Sequence, residues 1–142
     1  MLPLILASAS PRRADLLRML GISFEVLPSH VSEDTADPLG PADHVLEIAL
    51  RKARAVAAGH PERIVLGADT VVSLEGAILE KPIDATDAVG MLTRLSGKTH
   101  QVYTGLALIN TSTAQTLSSV AKTDVNMRTI GIEEIRSYVR TK

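Results

Sequence analysis

The chain has 142 residues, 45% hydrophobic and 22% charged, which suits one domain large enough to bury a proper core. Its 15 Lys plus Arg balance 16 Asp plus Glu, and Phe24, Tyr103 and Tyr138 are its aromatics, so neither a basic nucleic-acid footprint nor a base-stacking strip is expected. The absence of cysteine excludes disulfides, thiol catalysis and cysteine-ligated zinc, and fits a reducing compartment.

Residues 3–8, "PLILAS", read as a short buried strand. Ala7-Ser8-Ala9 resembles a signal-cleavage site, but no positive charge precedes the apolar stretch, and that stretch is shorter than a signal core. No run approaches the roughly eighteen apolar residues of a membrane span, so a cytoplasmic location is expected. "PRRADLLRMLG" predicts a helix with Ser10 as N-cap, Pro11 at the first position and Gly21 at the stop. Leu16, Leu17 and Leu20 are its expected apolar stripe.

Residues 22–28 predict a second strand from their β-branched and aromatic content. A polar stretch carrying Glu33, Asp34 and Asp37 follows, and a helical pattern then runs from Pro41 to about Gly59. Residues 63–74 are a strongly apolar strand that "EG" at 75–76 turns back as a hairpin. Asp84 caps a helix over 85–95 that Gly97 ends. Two long strands joined by the turn "NTST" come next, and residues 132–140 form a last helix. Early alternation followed by paired strands predicts a mixed-sheet α/β fold.

Chemistry shows where a sequence breaks its packing pattern. Asp69 lies inside the apolar run "IVLGADTVV", where an unpaired carboxylate costs several kcal/mol. It must meet a metal, a cation or hydrogen-bond donors, a structural carboxylate on nearby amides being the bland alternative. Gly67, two residues earlier on the same strand face, is expected to leave room for a ligand. Lys52 falls within the stripe Val45, Ile48, Ala49 and Val56, so its ammonium either snorkels to solvent or enters a cleft. Lys81 is held extended before Pro82 and, by itself, reads as a solvated lysine. Glu33 sits in an acidic run that is either a solvated loop or a source of oxygen ligands for a hard divalent cation.

Several motifs fail. "SGKT" at 96–99 lacks the glycine required at position 92 and runs from helix to strand, the reverse of a P-loop. No G-x-G-x-x-G, no H-x-x-x-H and no G-x-S-x-G occurs. The loop "SASPRR" is a better lead. It opens a helix whose free amides suit an anion, Ser8 and Ser10 add hydroxyls, and Arg12 and Arg13 add guanidinium forks. Those arginines oppose the helix dipole unless an anion offsets them. With Asp69, Lys52 and Lys81, a polyphosphate site is the better account.

"LASASPRR", "EIALRKARAVA", "LGADTVV", "LEKP" and "LSGKTHQVYTGLAL" resemble, in order and approximate spacing, the Maf-like proteins. The resemblance spans the whole chain as a single domain, 1–142. It implies a mixed twisted sheet with flanking helices, two lobes around a deep cleft, and nucleoside triphosphate pyrophosphatase activity. It makes Asp69 the proton acceptor, near a divalent metal (Mg²⁺ or Mn²⁺) shared with Glu33. Ser8, Ser10, Arg12, Arg13, Lys52 and Lys81 are implied in binding the substrate. Arg12 and Thr70 look like the subgroup acting on dTTP and UTP, and not its sister specific for 7-methyl-GTP. The implied partner is a small nucleoside triphosphate, with no nucleic-acid polymer or membrane, and a homodimer is left open. Family members usually run on past the helix matching "IRSYVR", so the chain resembles a C-terminally truncated member. A non-catalytic nucleotide-binding or regulatory role linked to septum formation or division arrest is the alternative. Binding without turnover separates it from the enzyme.

Overall fold

The computed structural model describes residues 2–35 and 39–141. Asp37, part of the acidic run, lies outside the described residues. Among the described residues a six-stranded mixed sheet forms with four helices. β1 (Leu4–Leu6) lies parallel to β2 (Phe24–Val26) and to β3 (Ile64–Leu74). β5 (Thr99–Asn110) pairs antiparallel with β3, and β6 (Gln115–Asn126) with β5. β4 (Ala77–Leu79) folds back on the end of β3. The expected mixed-sheet architecture is present.

Local signals account for most element boundaries. Ser10 caps α1 (Pro11–Met19), its Oγ accepting from the Arg13 amide. At the other end Gly21 takes φ +73°, while the Gly21 and Ile22 amides donate to Arg18 and Leu17 carbonyls, closing a Schellman stop. Asp84 caps α3 (Ala85–Leu95) through the Asp87 amide at 2.7 Å, and the Asp87 carboxylate accepts from the Ile83 amide in return. Glu75 and Gly76, with φ of 53° and 84°, make the two-residue turn between β3 and β4 that right-twisted strands favour. α4 spans Ile132–Arg140.

Two expectations are corrected. The stripe Leu16, Leu17, Leu20 is not the buried face of α1: Leu16 is 54% and Leu20 73% exposed, and Ala14 is buried instead. Arg13, Ala14 and Leu17 face inward, with Arg13 bonded to Ser8 and Thr70. Gly67 does not make room for a ligand. A Cβ there meets the Ala49 carbonyl at 2.2 Å and the Ala53 amide at 2.9 Å, so the space belongs to α2 (Pro41–Ala57).

Gly105 acts in the same way on β5, where a Cβ meets the Val45 carbonyl at 2.4 Å. These two glycines let α2 lie directly on β3 and β5. The main core forms there, with Ile5, Ala49, Ala53, Val56, Val65 and Ile109 among its buried members. Burying each of the larger side chains contributes about 1.5–3 kcal/mol. The same close approach carries Lys52 and His44 over the middle of β3.

Candidate active site

The site sits at a gap in the sheet. On one side of β3, residues 64–66 pair with β1 and residues 72–74 with β4. Among the described residues, 67–71 have no strand neighbour on that side. Asp69 and Thr70 occupy this open edge, and successive residues of a strand face opposite ways. Asp69 faces α2 and Thr70 faces α1, so one short stretch serves two clusters.

In the first cluster, Lys52 Nζ donates to Asp69 Oδ1 at 3.3 Å and to the Ala68 carbonyl at 3.2 Å. The same ammonium lies 2.9 Å from Glu33 Oε1. Of the two courses open to Lys52, the structure therefore shows the cleft: its side chain is only 14% exposed. His44 Nε2 is 4.0 Å from Asp69 Oδ2. Asp69 is 7% exposed, and this burial holds its carboxyl above the usual aspartate range despite the pull of Lys52 in the other direction. Glu33 is half-exposed, and its hydrogen bond from Lys52 holds it below the usual range. One lysine thus faces two carboxylates whose pKa values move in opposite directions, Asp69 raised by burial and Glu33 lowered by the hydrogen bond.

In the second cluster, Arg13 donates through Nη1 to Ser8 Oγ at 3.0 Å and through Nη2 to Thr70 Oγ1 at 3.2 Å. Ser8 Oγ also accepts from the Ser10 amide. Burial lowers the pKa of Arg13, opposed by the charges of Asp69 and Glu33 acting through space. The guanidinium nevertheless keeps its charge. No ion pair to Arg13 forms among the described residues. α1 has no acidic residue in its first turn. Its N-terminal end is therefore positive from both dipole and side chains.

A cavity of about 950 Å³ opens beside these clusters, with Glu33, His44, Asp69, Thr70 and Lys81 on its wall. Lys52 and Arg13 lie behind that wall, through their bonds to Asp69 and Thr70, and Ser8 lies behind Arg13. Lys81 is exposed on the segment after β4 and reaches the same cavity. Arg12 is exposed on the first turn of α1 and takes no part in either cluster.

Sequence reasoning missed three participants. His44 carried no spacing signal. Thr104 stands directly opposite Thr70 in the β3–β5 register, with its Oγ1 3.1 Å from that of Thr70. Arg51 donates from Nη1 to the Ser32 and Asp34 carbonyls, both at 2.7 Å, and so fastens the residues on either side of Glu33 to α2. Nothing local distinguishes these three from ordinary polar surface residues.

Among the described residues no group of three metal-type ligands converges. Asp69 and Glu33 nevertheless meet at one cationic point, now held by the Lys52 ammonium. Two carboxylates suit a hard cation such as Mg²⁺, which takes its remaining ligands from water and substrate phosphates. The oxygens that Lys52 leaves free, Asp69 Oδ2 and Glu33 Oε2, are donors of the right chemistry for that ion.

The fold and site define an α/β protein whose cleft brings two carboxylates, Asp69 and Glu33, together with the cations Lys52 and Lys81. The chain belongs to the Maf-like protein family, whose model matches residues 3–142. It is 49% identical over 97% of its length to a dTTP/UTP pyrophosphatase of Bacillus cytotoxicus, covering 71% of that protein. It is 45% identical over 98% of its length to a protein of the same name from Syntrophus aciditrophicus, covering 68% of it. In fold it is similar to a HAM1 protein from Coxiella burnetii, with a TM-score of 0.63 and 16% identity, covering 89% of this chain and 73% of that one. No described helix is long and apolar enough to cross a membrane.

Proposed function

We propose that this chain is a nucleoside triphosphate pyrophosphatase acting on dTTP and UTP. The observation that carries the reading is Asp69, a buried carboxylate with a raised pKa on the wall of the cavity, sharing one lysine with Glu33. Relatives at 45–49% identity that bear the name dTTP/UTP pyrophosphatase support the choice of reaction and substrate.

Asp69 accepts the proton of a water that attacks the α-phosphorus in line. The bond from that phosphorus to the bridging oxygen breaks, and its electron pair leaves with pyrophosphate. Burial brings the basicity of Asp69 closer to working pH, which suits a general base. Arg13, fixed by Ser8 and Thr70, and Lys81 at the cavity wall offset the negative charge of the triphosphate. Lys52 holds Asp69 and Glu33 in place and limits the rise in the Asp69 pKa. Arg12 and Thr70, the residues that resemble the dTTP/UTP subgroup, support that choice of substrate. A divalent cation held by Asp69 and Glu33 would supply charge neutralisation of the phosphates and a more acidic water.

A pyrophosphate-release screen across common and methylated nucleoside triphosphates, with and without Mg²⁺, tests the reading. Release is expected from dTTP and UTP and to be lost in Asp69→Asn. Near-normal turnover by that variant, or no release from any nucleotide, would sink it.

A further inference from the structure

Arg13 is half-buried and held by two hydroxyls in place of a carboxylate. Its orientation therefore depends on which way those hydroxyls point. A threonine hydroxyl has one proton to donate and lone pairs to accept with. To accept from Arg13 Nη2, Thr70 must turn its own proton elsewhere. Its Oγ1 also lies 3.1 Å from Thr104 Oγ1 on the neighbouring strand, a hydrogen bond that either hydroxyl can donate and that fixes the rotamer of Thr70. The β3–β5 register fixes that pair rigidly, because Thr70 and Thr104 are direct cross-strand partners.

Resting on the triphosphate reading above, we propose that Thr104 is a positioning residue for substrate phosphates. Its hydrogen bond holds the Thr70 oxygen toward Arg13, and so keeps the guanidinium in one orientation behind the Thr70 wall of the cleft. Without the Thr104 hydroxyl, the Thr70 side chain loses the contact that fixes its rotamer, and its oxygen is no longer held at Arg13. The chain of contacts runs from β5 through β3 to α1 and involves neither Asp69 nor Glu33. The effect therefore falls on binding of the polyphosphate and not on the chemical step.

The test compares wild type, Thr104→Val, Thr104→Ser, Arg13→Ala and the double variant Arg13→Ala/Thr104→Val in magnesium-containing buffer. Calorimetry with inorganic tripolyphosphate gives affinity, and dTTP and UTP kinetics give KM and kcat. Thr104→Val keeps the side-chain shape and is expected to weaken tripolyphosphate binding and raise KM about five-fold, with a smaller change in kcat, since one anchor of a charged group is lost. Thr104→Ser restores the hydroxyl and is expected to bind like wild type, and Thr104→Val should add nothing in the Arg13→Ala background. Equal affinities for wild type and Thr104→Val overturn the proposal. So do additive losses in the double variant, loss in both Thr104 variants alike, or a wild type that does not bind tripolyphosphate. If no nucleotide releases pyrophosphate but the affinities follow the expected order, the catalytic reading fails and the role of Thr104 stands.

Discussion

Gly67→Ala adds a single methyl group and tests the link between packing and catalysis. Its Cβ would stand 2.2 Å from the Ala49 carbonyl oxygen and 2.9 Å from the Ala53 amide nitrogen. Both are backbone atoms of α2, so no side-chain rotation relieves the clash. Lifting the shorter contact to 3.0 Å moves the helix by close to an ångström. Overpacking of this kind costs about 1–3 kcal/mol, and rigid backbone on both sides places it near about 3. At about 3 °C per kcal/mol for a domain of this size, the melting temperature falls by about 9 °C. The same movement carries Lys52 away from Asp69, now 3.3 Å apart, and a displacement of about 1 Å at a catalytic group costs about 100-fold in rate. Thermal unfolding by circular dichroism and pyrophosphate release from dTTP measure the two effects separately. Gly90→Ala is the control: its Cβ meets nothing within 4 Å, it lies within α3, and it is expected to raise the melting temperature slightly. Wild-type melting together with wild-type turnover in Gly67→Ala would refute the reasoning.

Asp69→Asn should retain or raise stability at pH 7 while abolishing turnover. Burial raises the folded-state pKa of Asp69, so its stabilising contribution is complete below the unfolded-state pKa and is lost as pH rises through the folded value. The stability difference from wild type should therefore vanish below about pH 4, and a lower melting temperature for the variant at pH 7 would contradict this. Lys52→Met removes the cation that pulls the Asp69 pKa down, so the acidic limb of the kcat/KM profile should move to higher pH. A limb that stays in place or moves lower means that Asp69 is not the group titrating. Asp84→Ala removes the cap of α3 and should cost about 1 kcal/mol in a denaturant titration, leaving KM for dTTP unchanged.

The legible parts of the fold are those written in short-range chemistry. Ser10, Gly21 and Asp84 announced helix ends because each satisfies orphan backbone groups within a few residues of itself. Glu75-Gly76 announced a hairpin because both positions of that turn need a positive φ. Asp69 and Lys52 stood out because charge in an apolar pattern carries a cost that something must offset. The α1 stripe misled because periodicity identifies an apolar face without showing that anything covers it, and Leu16 and Leu20 are left exposed. Gly67 misled because a missing side chain looks the same in sequence whether a ligand or a helix backbone fills the space.

The sequence by itself determined the elements, their order and the charged residues available for phosphate chemistry, because caps, turns and apolar runs act over a few covalent neighbours. Tertiary structure decided which of those charges meet. Lys52 faces Glu33 and Asp69 only because two glycines on adjacent strands let α2 settle onto the sheet. Thr70 reaches Arg13 on one side and Thr104 on the other only because the β3–β5 register and the end of β1 leave that edge of β3 open. Contacts of this kind join residues up to 57 positions apart, and no local pattern encodes them.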